Sequence, residues 1–270
     1  MVTQTEYLNG TLAHRHDLND RLCTIQVTPD SGVAPPFFPG QYVTLGLPNS
    51  QSCDARGERT DGIRRRLTRR AYSIASAATE RGHLEFFIVR IPDGHLTPQL
   101  WNLNVGDGLW IDEKAKGEFT IEGVPRDCDL VMVSTGTGIG PFISILRTYH
   151  GHNRWRRFVM INGVREVADL GYRKELEELA KKDPTVHYLP IVSREPEGTN
   201  WSGLRGRVQV VLEEEVYQRL VGTPLDPREC HVFLCGNPDM VKSVCPLLEA
   251  RGFRAHNKRA PGNIHLEQYW

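Results

Sequence analysis

A glycine-rich turn between an apolar run and a helix-like segment carries the strongest chemical signal in this sequence. Residues 134–141 read Ser-Thr-Gly-Thr-Gly-Ile-Gly-Pro, directly after the apolar residues 130–133. Glycines let a backbone approach a ligand closely, and the following helix supplies free N–H groups and a positive dipole end. A dinucleotide pyrophosphate suits such a turn, although the spacing differs from the G-x-G-x-x-G fingerprint and lacks the lysine of a P-loop. A tight strand-to-helix turn without a ligand is the alternative.

Two further segments place polar side chains where a cofactor could bind. The run Arg70-Ala71-Tyr72-Ser73 offers a cation for phosphate, a ring that stacks on flat cofactors and a hydroxyl for a ring nitrogen. An ordinary barrel strand is the alternative.

Residues 235–240 (Cys-Gly-Asn-Pro-Asp-Met) again join a strand to a helix, at the sheet edge where open α/β folds bind ligands. Asn237 as a helix cap, followed by Pro238, explains the same residues without a ligand, and both interpretations can hold.

The composition excludes several functional classes. The chain has 270 residues, and its 33 Lys and Arg balance its 33 Asp and Glu. This balance argues against a protein that coats nucleic acid or an anionic membrane. The six cysteines form no C-x-x-C pair, so we expect no zinc ribbon, iron–sulfur ligand set or other metal site. Residues 1–20 lack an apolar core and no apolar run approaches the ~20 residues of a membrane span, so we expect a cytoplasmic protein with reduced thiols.

Glycine and proline punctuation divides the chain into two regions. The first region predicts an antiparallel Greek-key β-barrel, with strands at residues 22–27, 41–47, 72–76, 84–91 and 109–111 and a helix at 96–103. The second predicts a doubly wound parallel α/β sheet, with strands at residues 130–133, 158–161, 186–192 and 231–234 and helices at 141–149, 172–182, 208–220 and 238–251. We therefore expect a barrel domain at residues 1–122 and an α/β domain at 123–270. Residues 49–68 lack periodicity and predict a long loop.

The order and spacing of these segments resemble the ferredoxin–NADP⁺ reductase superfamily, and most closely its bacterial flavodoxin/ferredoxin–NADP⁺ reductases. Residues 92–98, 161–172, 192–195 and 267–270 support the resemblance, which extends from about Leu12 to Trp270. It implies an FAD-binding barrel and an NADP-binding α/β domain. The residues matched to FAD contacts are Arg70, Ala71, Tyr72, Ser73, Ile88, Val89, Arg90, His95, Leu96, Thr97, Thr137, Tyr269 and Trp270. Those matched to nucleotide contacts are Gly136, Thr137, Gly138, Arg165, Ser193, Arg194, Arg205, Arg207, Cys235, Gly236, Asn237 and Asp239.

The resemblance also implies roles within these sets. Tyr72 is matched to the residue against the isoalloxazine ring, and Ser73 to the residue near its N5 atom. Ser73 and Glu267 are candidates for helping to protonate that atom, so Tyr72, Ser73 and Glu267 form the predicted catalytic set.

Selection of NADP over NAD is expected from Ser193 and Arg194, which match the family's NADP-selective position. Guanidinium groups pair well with a 2′-phosphate, whereas ordinary surface arginines are the alternative. The sequence departs from its closest relatives at His95, where lysine is common, and by an insertion between Leu47 and Arg69.

The implied activity is electron transfer between NADPH and ferredoxin or flavodoxin through FAD. Residues 56–70 hold seven arginines and two acidic residues, and Arg64, Arg65 and Arg66 are candidates for docking an acidic carrier. Support of the FAD segment and a solvated loop are the alternatives; nucleic acid is less favoured because no aromatic residues are interleaved. An oxygenase reductase component or a flavin reductase is the alternative function within the superfamily. A non-catalytic flavin- or nucleotide-binding regulatory subunit is the alternative of another class.

Overall fold

The computed structural model describes residues 8–48 and 67–268. The chain separates into two compact units, Met1–Glu118 and Phe119–Trp270, whereas the sequence places this boundary after residue 122. Phe119 belongs to the second unit because its ring packs against Phe142 and Phe233, with centroids 5.8 and 5.5 Å apart.

The first unit is a closed antiparallel barrel. Its strands are β1 (Gly10–Asp17), β2 (Leu22–Pro29), β3 (Tyr42–Pro48), β4 (Leu67–Ser73), β5 (Leu84–Val89) and β6 (Gly108–Ile111). They lie in the order β4-β3-β6-β1-β2-β5, and a hydrogen bond of 2.8 Å from the Ala75 N–H to the Glu85 carbonyl joins the two ends. This arrangement confirms the predicted Greek-key barrel. Helix α1 (Thr97–Trp101) is shorter than the predicted helix at residues 96–103.

The strand ends differ from the prediction where polar residues interrupt the apolar pattern. β4 starts at Leu67, five residues before the predicted start at Tyr72. The prediction missed these residues because most of them are exposed, so they do not show the apolar pattern of a buried strand. β1 was not predicted for the same reason, since much of its second half is exposed. Leu67 and Thr68 therefore belong to a strand and not to the predicted loop at residues 49–68. The remainder of that loop lies outside the described residues.

The second unit is a parallel sheet with helical connections. Its strands are β7 (Asp129–Thr135), β8 (Arg157–Val164), β9 (Val186–Val192), β10 (Leu204–Arg205), β11 (Cys230–Gly236) and β12 (Ile264–Gln268). Its helices are α2 (Gly140–Tyr149), α3 (Arg173–Lys182), α4 (Val208–Val211), α5 (Glu214–Val221) and α6 (Pro238–Glu249). The strand order is β10-β9-β8-β7-β11-β12, and every paired neighbour is parallel. The predicted doubly wound sheet is thus confirmed.

Strand β7 lies inside the sheet and explains the apolar run at residues 130–133, all of which are buried. Its first residue, Asp129, is also buried, with a side chain only 1% exposed. One carboxylate oxygen accepts a hydrogen bond of 2.8 Å from Arg156 Nε, and the other lies 3.2 Å from Arg157 Nη1. This double pairing compensates the buried charge at the amino end of the sheet.

Strand β12, which was not predicted, pairs in parallel with β11, and a stack of imidazoles lies along this pair. His231 Nδ1 in β11 lies 3.1 Å from His265 Nε2 in β12. The His265 ring also stacks on Phe233, with centroids 4.2 Å apart, and lies 4.6 Å from the ring of His256. Burial, followed by the nearby imidazoles of His256 and His231, lowers the pKa of His265 to about 3. The His265 ring is therefore neutral at pH 7.

Among the helices of the second unit, α6 ends at Glu249 rather than at residue 251, and one predicted helix is divided in two. The single helix expected at residues 208–220 is divided into α4 and α5, and α5 ends before Gly222, whose φ of +84° favours glycine. Within residues 8–48 and 67–268, no helix combines the length and apolar composition of a membrane span.

Candidate active site

The aromatic residue of the predicted FAD segment lies between two barrel strands. Tyr72 in β4 is half-buried, and its ring meets Phe86 of β5 edge-on, with centroids 6.4 Å apart and planes inclined by 68°. Burial raises the pKa of the Tyr72 hydroxyl, so the phenol stays protonated at neutral pH. Arg70 and Ala71 are exposed before it, and Ser73 is buried after it. The segment thus presents one ring, one cation and a buried hydroxyl along a single strand.

Strand β5, which carries Phe86, lies next to this ring. It is the last strand in the order of the sheet, and the Glu85 carbonyl on its outer side accepts the bond from Ala75. Alternate residues of an antiparallel strand direct their main-chain groups to the same side, so Val89 faces this side as Glu85 does. Ile88 is buried and Arg90 is exposed at the strand end. A half-buried ring beside the last strand of the barrel fits a flat group such as the isoalloxazine of FAD.

The turn before α1 is held by a side chain that the sequence assigned to FAD. Thr97 Oγ1 accepts a hydrogen bond of 3.0 Å from the Ile91 N–H and donates one of 3.1 Å to the Ile91 carbonyl. A Cβ on Gly94 would lie 3.0 Å from both Ile91 O and Thr97 Oγ1, so this turn leaves little room for another residue. His95 is exposed and Leu96 is buried. Because its hydroxyl is engaged, Thr97 has its backbone N–H, rather than its hydroxyl, to offer a phosphate.

In the second unit, two glycine-containing turns meet at the carboxyl edge of the sheet. β7 leads through a 3₁₀ turn (Gly136–Ile139) into α2, and β11 leads into α6. A Cβ on Gly138 would lie 2.3 Å from the Cys235 carbonyl oxygen, so only glycine permits this approach. Gly136 has a φ of +54° and open space where a Cβ would be, which leaves a cradle beside the helix N-terminus. Such a cradle fits a pyrophosphate.

Thr135 connects the two turns, a contact that the sequence analysis did not predict. Its Oγ1 accepts a hydrogen bond of 2.9 Å from the Asn237 N–H. A Cβ on Gly236 would lie 2.4 Å from the same oxygen. The Asn237 side chain accepts a bond of 2.8 Å from the Asp239 N–H and so caps α6, as the alternative interpretation of this segment predicted. The sequence signal for this contact was a hydroxyl residue, Thr135, immediately before Gly136.

Cys235 and Glu267 stand opposite each other at the ends of β11 and β12. The two residues are paired in the parallel ladder, and Cys235 Sγ lies 3.9 Å from Glu267 Oε2. Cys235 is buried, whereas Glu267 is half-buried. A thiol and a carboxylate thus share the sheet edge that carries the glycine turns.

The arginines predicted to select NADP follow strands β8 and β9. The Arg194 N–H donates to the Arg165 carbonyl at 2.8 Å, and Ser193 Oγ donates to the Val164 carbonyl at 3.2 Å. The Arg165, Arg194 and Arg207 side chains are exposed and make no hydrogen bond or ion pair with another described residue. A cavity of about 420 Å³ is lined by the sequence neighbours of Arg194 and Arg207, among them Ser193, Glu195 and Gly206. The site therefore offers free cations next to a cavity.

Several predicted residues are not located by this geometry. Arg64, Arg65, Arg66, Tyr269 and Trp270 lie outside the described residues. Thr137 is half-buried in the glycine turn, and its contact with FAD stays a prediction. Residues 8–48 and 67–268 contain no cluster of three or more His, Cys, Asp or Glu side chains that could hold a metal ion.

Both halves of the chain match known domain families. The oxidoreductase FAD-binding domain family matches residues 36–120, and the oxidoreductase NAD-binding domain family matches residues 132–246. These matches confirm the prediction of a flavin-binding unit followed by a pyridine-nucleotide-binding unit.

Relatives of known name match nearly the whole chain. A flavodoxin/ferredoxin–NADP reductase of Buchnera aphidicola (from Schizaphis graminum) is 35% identical over 237 residues, which are 87% of this chain and 89% of the relative. The flavodoxin/ferredoxin–NADP reductase of Escherichia coli K12 is also 35% identical, over 87% of this chain and 88% of the relative. A solved ferredoxin NADP⁺ reductase from Neisseria gonorrhoeae, with bound FAD and NADP, is 29% identical with a TM-score of 0.81, covering 96% of this chain and 97% of its own. By fold, sequence and domain order, the chain belongs to the ferredoxin–NADP reductase family.

Proposed function

We propose that this protein is an FAD-dependent reductase that transfers electrons between NADPH and a ferredoxin or a flavodoxin. The observation that carries the proposal is the coexistence, in one chain, of an FAD-binding-domain match and an NAD-binding-domain match with full-length similarity to flavodoxin/ferredoxin–NADP reductases. When bound, FAD accepts a hydride and releases electrons singly, and the protein supplies binding and electrostatics.

On the barrel, Tyr72 would hold the flavin ring and Arg70 its phosphates. The protonated phenol of Tyr72 packs on Phe86, so its ring is held in a fixed orientation against which a flat group can stack. The exposed guanidinium of Arg70 is suited to bidentate pairing with phosphate. Ser73, buried at the end of β4, would hold a hydroxyl proton near the reactive ring nitrogen.

On the α/β unit, the glycine turn would take the pyrophosphate of NADPH at the N-terminus of α2. Arg194, together with Arg165 and Arg207, would bind the 2′-phosphate, since all three guanidinium groups are exposed without a partner among the described residues. Glu267, which lies opposite Cys235, would use its carboxylate to help to protonate the N5 atom of the flavin. No further acid or base is needed for the hydride transfer itself.

The electron carrier is proposed to dock on the arginine-rich segment that contains Arg64, Arg65 and Arg66. An acidic carrier would be attracted by the excess of positive charge in residues 56–70. A cytoplasmic location remains the expectation from the sequence.

The proposal is tested by the colour and the reactions of the purified protein. We expect a flavin absorbance spectrum, loss of that absorbance on anaerobic addition of NADPH, and NADPH-dependent reduction of ferredoxin or flavodoxin. A colourless protein that releases no flavin on heating would contradict the assignment. Flavin reduction by NADPH without reduction of either carrier would favour the oxygenase-reductase or flavin-reductase alternative, and flavin binding without reduction would favour a regulatory subunit.

A further inference from the structure

Arg205 lines the cavity of about 420 Å³, and its guanidinium group forms hydrogen bonds within the protein. Arg205 Nη1 donates to the Glu195 carbonyl at 2.7 Å. Its Nη2 lies 3.4 Å from both the Pro196 carbonyl and Thr199 Oγ1. The guanidinium group therefore bridges three acceptors in residues 195–199, which we call the cavity loop.

Other hydrogen bonds fix the backbone around Arg205 and the side of the cavity loop that faces the segment after β8. Arg205 pairs with Val192 in the parallel ladder of β10 and β9, and the Gly206 N–H donates to the Val192 carbonyl at 2.8 Å. On the other side, the Glu195 carboxylate accepts a bond of 2.7 Å from the Val167 N–H. The cavity loop is thus held between the end of β9 and the segment after β8.

The position of the cavity loop matters because of its charges. Glu195 and Glu197 line the cavity of about 420 Å³ together with Ser193. A 2′-phosphate placed there would be attracted by Arg194, which directly precedes the loop and whose position therefore depends on the loop. Holding the loop in one shape therefore decides how much the site favours a phosphate over a hydroxyl.

We propose that Arg205 is a positioning residue for nucleotide selection: it braces the cavity loop and leaves contact with the 2′-phosphate to Arg194, Arg165 and Arg207. This role rests on the proposed use of NADPH. It differs from the prediction that Arg205 itself binds the phosphate, which the test below treats as the competing outcome. A lysine keeps the charge but cannot span three acceptors, because it lacks the planar fork of arginine.

The brace is tested first without nucleotide, by hydrogen exchange in the flavin-loaded protein. Arg205→Ala and Arg205→Lys are expected to raise amide exchange in residues 193–199 at least tenfold. The control Arg228→Ala removes an exposed cation that pairs with Asp226 in the same unit, and should leave this exchange unchanged. Unchanged exchange in Arg205→Ala would overturn the proposal whatever nucleotide the enzyme uses, so this result is independent of the proposed function.

The selection role is tested by a double-mutant cycle on the KM values. Arg205→Ala should raise the KM for NADPH about tenfold with less than a twofold change for NADH and for kcat. In an Arg194→Ala background the same substitution should add less than twofold, because a positioning residue has no effect once the residue it positions is absent. A further tenfold increase in that background, or recovery of the wild-type KM by Arg205→Lys, would show direct phosphate binding and overturn the proposal.

Discussion

At the residue scale, the site depends on side chains that bind the backbone as much as on those expected to bind ligands. Thr97, Thr135 and Arg205 all use their polar atoms on neighbouring main-chain groups. Two of them, Thr97 and Arg205, were predicted from the sequence as ligand contacts. Sequence shows that a hydroxyl or guanidinium is present near a site, but the direction of its hydrogen bonds is set by tertiary packing.

Replacing Thr135 with valine is expected to weaken nucleotide binding. The change keeps the shape but removes the acceptor of the Asn237 N–H, a loss of about 1 kcal/mol or roughly fivefold in the KM for NADPH. Thr135→Ser keeps the acceptor and serves as the control. Steady-state kinetics check both variants, and equal KM values in all three proteins would show that the bond between the turns is unimportant.

Arg194→Ala is expected to raise the KM for NADPH roughly ten- to a hundredfold, because a charge-assisted bond contributes about 1.5–3 kcal/mol. The KM for NADH should change little, since NADH lacks the 2′-phosphate. Measurement of both KM values decides the matter: equal effects on the two nucleotides would remove Arg194 from the proposed role.

At the element scale, titratable side chains contribute to the parallel sheet at two places. Asp129 holds the amino end of β7 between two arginines, and the imidazole stack lies between β11 and β12. β7 was predicted because its apolar run outweighs the polar residues at its two ends. β12 was not predicted because it mixes Ile and Leu with polar residues, and its Leu266 is exposed.

Asp129→Asn is expected to lower the free energy of unfolding by about 2 kcal/mol. Removing one partner of a buried ion pair costs about 3–5 kcal/mol, and the partial exposure of Arg156 and Arg157 reduces this figure. Urea denaturation followed by circular dichroism measures the change. Glu177→Gln, which breaks an exposed helix pair with Arg173, is the control and should have a smaller effect. Equal effects would mean that burial adds nothing at Asp129.

The imidazole stack predicts that stability falls as the pH is lowered below about 6.5. The unfolded chain protonates His265 near this reference pKa. The folded protein resists protonation down to about pH 3, so acid favours unfolding across that interval. His265→Phe should flatten the dependence of the urea midpoint on pH between 7.5 and 5.5. Substitution of the exposed His16 by Asn should leave the slope unchanged. A slope retained in His265→Phe would place the effect elsewhere.

At the scale of the whole molecule, the order of the two folds and the two cofactor-binding domains could be predicted from the sequence. Short punctuated strands predict a barrel, and apolar runs that alternate with helices predict a parallel sheet; both predictions hold because they depend on local periodicity. The positions of the residues proposed to bind the 2′-phosphate depend on how β8, β9 and β10 are aligned, which no local pattern encodes. The site residues therefore stay predictions, supported by geometry.

Replacing Arg64, Arg65 and Arg66 together with glutamine is expected to slow electron transfer to an acidic carrier at low salt and to flatten its salt dependence. Charge attraction raises encounter rates and is screened over about 10 Å at 0.1 M salt. NADPH oxidation with a neutral quinone should be nearly unchanged, since this small acceptor needs no docking surface.

A matched triple variant, Arg219, Arg228 and Lys242 to glutamine, removes the same charge from the other unit and should have little effect. Carrier reduction that matches the wild type in the Arg64–66 variant would leave this segment a solvated loop. Loss of both activities would instead assign it to support of the FAD segment.

The contact between the two glycine turns has a consequence for how such sequences can be recombined. Gly138 lies against the Cys235 carbonyl, and Gly236 lies against the Thr135 hydroxyl, so the shape of each turn depends on the other. A segment imported from a relative into one turn will meet a surface that did not evolve with it. Chimaeras of these reductases should therefore remain active when residues 134–141 and 235–240 are exchanged as a pair, and lose nucleotide binding when either is exchanged alone.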